Sequence, residues 1–365
     1  MTALLVLTAV VLDTLLGEPR RFHPLVGFGR WAQFLESRLN VMDGTAARGA
    51  AAGGVAAGAS VAGCAAGGGV AAGASVAGCV AGGGVAAGAS AADGTAARGS
   101  SSRTTSLALR LRGALAVLIA VGPWVALIAL GNTVSYLHYA VAVAALYFAL
   151  GHQSLRQHAL RVHEALQAGN LEDARARVGY MVSRDTGKMD ARAVAAATVE
   201  SVLENGNDAV FGALFWFLVA GAPGVLLFRL ANTLDAMWGY RTPRFFYFGW
   251  AAARLDDVLN FVPARLTAMT YALIGSTANA LRCWRVQARA WDSPNAGPVM
   301  AAGAGALKLG LGGGAYYHGQ WEERPPLGLG AAPDASSITA ALRLVRSGVV
   351  LWLLIVIAVE AAAHA

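Results

Sequence analysis

FGALFWFLVAGAPGVLLFRLANTLDAMWGYRTPRFFYFGWAAARLDDVLNFVPARLTAMTYALIGSTANAL, residues Phe211 to Leu281, is the stretch on which the fold turns. Two apolar runs, Phe211 to Asn232 and Phe261 to Leu281, flank a polar loop from Asp235 to Asn260. A polar side chain near a bilayer is costly unless paired or solvated. Asn232, Asp235, Arg254, Asp256, Asp257, Asn260 and Arg265, crowded among these runs, therefore mark a site where water meets lipid. Arg229, Trp238, Tyr240, Arg241, Arg244, Tyr247 and Trp250 suit a plainer task, interfacial anchoring by snorkelling cations and an aromatic belt. Acidic residues anchor poorly, so Asp256 and Asp257 carry the catalytic expectation. At the middle of the first run, Ala-Gly-Ala-Pro-Gly (Ala220 to Gly224) either kinks a spanning helix or turns it back as a re-entrant hairpin. The re-entrant reading, preferred here, puts every large polar region on one cytoplasmic face.

Outward from this stretch, the chain is uniformly apolar. Of its 365 residues 56% are hydrophobic and only 13% charged, against about a quarter charged in ordinary soluble domains. The expected fold is an all-α polytopic integral membrane protein with about four to six membrane helices, some re-entrant or interfacial, and amphipathic helical cytoplasmic loops. Its formal charge of +7 comes from Lys and Arg spread singly through loops, which fits cytoplasmic loops and excludes a nucleic-acid footprint. Cys64, Cys79 and Cys283 form no paired motif. The opening MTALLVLTAVVLDTLLGEPR lacks a basic start and carries Asp13 in its apolar run, so residues 1–17 read as a first membrane helix rather than a cleaved signal.

A polar loop (18–42) follows, then an Ala/Gly insert (43–106) in which GGVAAGAS recurs at Gly53, Gly68 and Gly83. Such small side chains supply too little surface to offset ordering entropy, so no catalytic role is expected there. Residues 107–151 read as a transmembrane hairpin, Leu107 to Leu130 and Thr133 to Gly151, each near the ~20 residues a bilayer requires. Residues 152–208 form amphipathic helices broken at Gly169 and Asn170. The apolar pair (209–281), a Gly/Pro-rich loop (282–346) and a last membrane helix (347–365) complete the chain.

Within SRDTGKMDARAVAAATVESVLENGNDAV (Ser183 to Val210), Glu200, Glu204 and Asp208 are spaced by four and share one face of a continuous helix. Three stacked carboxylates repel unless a cation joins them, and hard oxygens suit Mg²⁺; a solvated acidic face balanced by Lys188 or Arg192 is the competing reading. Upstream, Ser183, Arg184, Asp185 and Thr186 form a compact polar turn where Arg184 can clamp a phosphate. No GxxxxGK[ST] loop is present in the sequence. Asp292 to Gly297 is a turn by composition.

Taken in order, LLGEPRRFHPLVGFGRW, SRDT, VESVLENGNDAVFGALFW, RLANTLDAMWGY, FGWAAARLDDVLNFVPARL and SPNAGPVMAAGAGALKLGLGG closely resemble the CobD/CbiB family of cobalamin-biosynthesis proteins, the adenosylcobinamide-phosphate synthases. The resemblance covers nearly everything outside the insert, which is longer than the family's usual connection. It implies a multi-pass ligase of the cytoplasmic membrane that joins aminopropanol or its O-phosphate to the free propionate of adenosylcobyric acid, using ATP and Mg²⁺. It implies a corrinoid substrate, no tightly bound prosthetic group and no nucleic-acid partner, with the bilayer and late cobalamin-pathway enzymes as neighbours. An unactivated carboxylate does not acylate an amine, so an acyl phosphate requires Mg²⁺ and cationic clamps. On that basis Glu200, Glu204, Asp208, Asp256 and Asp257 form the catalytic pool, the first three also holding metal. Substrate and phosphate contacts are expected from Ser183, Arg184, Asp185, Asn205, Asn232, Asp235, Arg254, Asn260, Arg265, Ser293 and Asn295. His23 reads as a structural loop histidine. A transporter or permease subunit for a corrinoid or other solute is the alternative, since polar residues between membrane segments also describe a solute path.

Overall fold

The computed structural model describes residues 1–18, 23–40, 99–135, 137–317 and 319–365; most of the Ala/Gly insert lies outside them. Helices dominate. In chain order they are α1 (Thr2–Leu16), α2 (Pro24–Leu39), α3 (Gly99–Thr133), α4 (His138–Ala149), α5 (His152–Gln167), α6 (Leu171–Val178) and α7 (Ala191–Gly206). A π turn (Asn207–Phe211) leads into α8 (Gly212–Trp238), followed by α9 (Trp250–Ile274), α10 (Thr277–Gln287), α11 (Ala296–Leu307) and α12 (Ala335–His364). Four short strands, β1 (Leu311–Gly312), β2 (Ala315–Tyr317), β3 (Gln320–Glu322) and β4 (Pro326–Leu327), pair antiparallel as β1 with β4 and β2 with β3.

Helix starts follow local chemistry. His23 caps α2 by accepting the Leu25 N–H at 3.2 Å, with Pro24 in the first turn where its missing N–H costs nothing. Asn170 and Asp190 cap α6 and α7 through the N–H groups of Asp173 and Ala193 at 3.0 and 2.7 Å. Asp334 and Ser337 form a reciprocal capping box at α12. The expected break at Gly169 is real, with φ at +70°.

Among the described residues, three helical stretches are long and apolar enough to cross a membrane: Ser106–Thr133, Ala191–Trp238 and Ala335–His364. The middle one is folded back on itself. Ala220 and Gly221 leave the helical region, and Gly221 takes φ +61°, a conformation that suits glycine. In a straight helix Gly212 and Phe228 would stand about 24 Å apart, yet the Phe228 ring fills the space a side chain at Gly212 would occupy. The result is a hairpin with its tip at Ala220–Gly221. From Phe211 to the tip the apolar part of the first arm is only ~13 Å long, well short of a bilayer core of about 30 Å. That arm by itself is too short to cross, and Glu204 and Asp208 at its end away from the tip come within electrostatic reach of Asp235 on the other arm, Asp208 also of Arg229.

Several sequence expectations need correction. Within residues 107–151, α3 is long and apolar enough to cross a membrane, while α4 has 12 residues against the ~20 a crossing takes; α1, with 15, is likewise a shorter apolar helix. The expected loop at 282–346 is mostly structured. It holds α11, which is buried along nearly its whole length, and α12 begins at Ala335 rather than at 347. Small residues let α11 nest in the core: a Cβ at Gly303 would strike Leu203, and one at Gly305 would strike the backbone of Asn279. Residues Phe261 to Leu281 are shared by two helices, because the chain leaves helix between α9 and α10, at Gly275 and Ser276.

Candidate functional site

Four elements converge beside the hairpin: α7, the π turn, α8 and α9. A π turn carries one residue more than an α turn and often marks a functional site. Here it sets Asn207 and Asp208 against α9. The Asn207 amide donates to Asp208 at 2.8 Å and to Asn260 Oδ1 at 2.7 Å, while its own Oδ1 accepts the Thr267 hydroxyl at 2.9 Å. The Asn260 amide in turn donates to both oxygens of Asp256 at 3.1 Å, and Asn232 donates to Asp256 Oδ1 at 3.3 Å. A ladder of acids and amides thus runs from the π turn across α9 to the second arm of the hairpin. Asp235 and Glu204 lie within electrostatic reach of it, and neither carboxylate pairs with a cation among the described residues. Burial, and then the Asp208 charge, pushes the Asp256 carboxyl up from its ordinary range; burial also pushes Asp257 up, against the pull of Arg254 and Arg241.

Two buried amides have an unanswered acceptor. Asn205 donates to Ser201 O at 2.9 Å and Ser201 Oγ at 3.2 Å, but among the described residues its Oδ1 has no partner, and neither has Asn232 Oδ1. Arg229 is 2% exposed, and its Nε and Nη1 are without hydrogen-bond partners among the described residues. Glu18 and Asp208 are the acids whose charges act on it. Read from sequence as an interfacial anchor, Arg229 is instead a core residue.

Glu200 has a different setting. It is 1% exposed, and its Oε2 accepts from both Arg184 and Arg324, the latter at 2.6 Å, while Oε1 accepts the Gly312 N–H at 2.8 Å. Arg324 also stacks over the Trp291 ring at 4.7 Å. Asp185 extends the same assembly: its carboxylate accepts the Gly319 N–H at 2.6 Å and its own N–H donates to Tyr316 O at 2.9 Å. Ser183 sits on this turn. The clasp ties α7 to the β-strand segment, and Arg324 was not foreseen because 124 residues separate it from Glu200.

Arg265, expected as a clamp, is held by Asn295 Oδ1 at 2.6 Å and Pro294 O at 2.9 Å and lies over the Phe261 ring. Asn295 donates to Asp257 O at 2.8 Å, and Ser293 Oγ accepts the Asn295 and Ala296 N–H groups at 3.3 and 3.1 Å. These three residues brace the turn before α11 against α9. Arg254 pairs with Asp257 at 3.2 Å on the exposed side.

The donor set is hard oxygen, which fits Mg²⁺, although among the described residues no three acidic, His or Cys side chains converge as a cage. Mg²⁺ commonly keeps water and takes one or two carboxylates beside substrate phosphates. Glu204 and Asp208 meet that requirement; Glu200, enclosed by two guanidinium groups, does not.

These features define a class: a polytopic helical membrane protein with a polar centre where a folded-back helical hairpin closes. Comparison with known proteins narrows it. The sequence profile of the CobD/Cbib protein family matches residues 6–99 and 90–345. A relative in Stutzerimonas stutzeri, called cobalamin biosynthesis protein CobD, is 51% identical over 352 residues, covering 96% of each chain. One of the same description in Chromobacterium violaceum is 48% identical over 351 residues, 96% of this chain and 94% of its own. A third, from Mycobacterium tuberculosis, is 41% identical over 57% of this chain and 68% of its own length. No solved structure matches. The chain belongs to the CobD/CbiB family of cobalamin-biosynthesis proteins.

Proposed function

We propose that this chain is an amide-forming ligase that joins the amine of (R)-1-aminopropan-2-ol, or of its O-phosphate, to the propionate carboxylate of adenosylcobyric acid. The product is adenosylcobinamide or its phosphate. The observation that carries this reading is the ladder of Asp208, Asn207, Asn260, Asp256 and Asn232, its amides buried and its acids part-buried, since withdrawing so many polar groups from water in an apolar protein is costly unless chemistry uses them.

ATP with Mg²⁺, when bound, supplies a phosphate leaving group on the carboxylate oxygen. Glu204 and Asp208 would hold the cation, and Arg184 and Arg324, whose charges act on Glu204, would face phosphate oxygens. As the amine forms its bond to the carboxyl carbon and the C–O bond breaks, the nitrogen must lose a proton. Asp256 is the acceptor, because a carboxyl raised by burial works as a base near neutral pH. Asn205 offers its amide oxygen to the many side-chain amides of a corrinoid, and Asn232 lies beside the base. The expected setting is the cytoplasmic membrane, with the polar centre facing the cytoplasm where ATP is present and late-pathway enzymes can meet it.

The test is conversion of adenosylcobyric acid by purified, detergent-solubilised protein with ATP, Mg²⁺ and either amine, followed by chromatography and mass. Amide product dependent on all components supports the ligase. Corrinoid uptake into proteoliposomes without product formation would replace it with a transporter.

A further inference from the structure

The second arm of the hairpin carries Arg229, Asn232 and Asp235 three residues apart, hence along one side of the helix at a rise of about 4.5 Å per step. All three face a partner problem that the fold leaves open. The Arg229 guanidinium is buried, yet Nε and Nη1 have no hydrogen-bond partner among the described residues, and neither Glu18 nor Asp208 comes within ion-pair distance of it. A buried guanidinium is normally answered by an anion with oxygens in a fork. At the other end the deficit has the opposite sign. Among the described residues Asp235 has no ion-pair partner, Asp256 receives only neutral amide donors, and Asn232, 2% exposed and already donating to Asp256, keeps an empty acceptor at Oδ1. Acceptors without donors are what a primary ammonium, with its three N–H groups, supplies.

We infer that this stripe is a binding site for a small zwitterion, its ammonium taken by Asn232, Asp235 and Asp256 and its anionic oxygens by Arg229. The inference deepens the proposed ligase and rests on its amine docking at this centre. It assigns to Arg229 the discrimination between a phosphorylated amino alcohol and the free one. Arg229 is then a specificity residue and Asn232 a positioning residue for the nucleophile.

The experiment is calorimetric titration of the full-length protein in detergent with aminopropanol O-phosphate, with aminopropanol and with inorganic phosphate. The phosphorylated amine is expected to bind at least tenfold more tightly than the free amine, and inorganic phosphate to compete with the former alone. Arg229→Met should abolish that preference while leaving free-amine affinity within about twofold. Asn232→Leu should weaken both amines. Should Arg229→Met fail to fold, Arg229→Lys keeps the charge without the fork, and a fall in the preference to threefold or less is expected. Equal binding of the two amines by the wild type, or a preference unchanged in the Arg229 variants, overturns the inference. Product formation without that preference leaves the ligase standing and removes only this site; absence of both product and amine binding removes the ligase reading as well.

Discussion

Glu200, fully buried, and Asp256, part-buried, are acids of one polar region, but their surroundings differ in kind. Glu200 is met by two guanidinium groups and a backbone N–H, so its charge is answered within the protein. Asp256 is met by the neutral amides of Asn232 and Asn260 and stands near Asp208 and Asp235. A carboxylate of the first kind holds a fold together, whereas one of the second kind is held ready for something that arrives. Spacing on a helix treats the two alike, and only the third dimension separates them.

The comparison breaks most sharply at Asp256. Asp256→Asn is expected to reduce amide formation by about 10²–10⁴-fold, the range for a lost general base, with little change in thermal stability; a drop in melting temperature matching the activity loss would place Asp256 with Glu200. Glu200→Gln is expected to do the opposite. It leaves Arg184 and Arg324 facing each other in a dry site and should cost about 3–5 kcal/mol of stability, read as a lower melting temperature in detergent.

His23 sharpens the contrast through pH. Burial, and then the positive charge of Arg229, lowers its pKa from 6.5 to about 4. A base held neutral in the fold but protonated when unfolded contributes stability that is complete above 6.5 and lost as pH falls toward 4. His23→Gln should therefore flatten the decline in melting temperature between those values. The smallest effect is expected at Arg244, whose exposed guanidinium meets Glu36 at 2.6 Å. Arg244→Gln should cost about 1 kcal/mol, seen as a melting shift smaller than that of Glu200→Gln and reduced by salt, because the Arg244 guanidinium is solvated although its partner Glu36 is buried.

The membrane class, the helical break at Gly169 and the reversal at Ala220 to Gly224 were legible because each rests on local chemistry: apolar content, a left-handed glycine, and a Gly/Pro cluster within an apolar run. The acids and amides of the ladder were legible as costly residues in costly places. What could not be read were pairings across distance. Arg324 reaches Glu200 from the β-strand segment, and Arg265 was assigned to a substrate although Asn295 and Pro294 hold it. Arg229 looked like an anchor because a lone arginine beside an apolar run normally snorkels. The helix α11 looked like a loop because its glycines suggest flexibility, when they are what allows Leu203 and the Asn279 backbone to approach.

The π turn at Asn207–Phe211 gives the chain a phase. Each residue along a helix advances its direction by about 100°, so one extra residue within a continuous rod rotates everything downstream relative to everything upstream. Deleting a single residue there would close the turn into ordinary helix without removing any acid from the sequence. The arm leading to the hairpin would then swing by about that angle, Phe228 would no longer meet Gly212, and Arg229 and Asp235 would be carried out of alignment with Asp208. The protein would keep every ingredient of its centre and lose their common address.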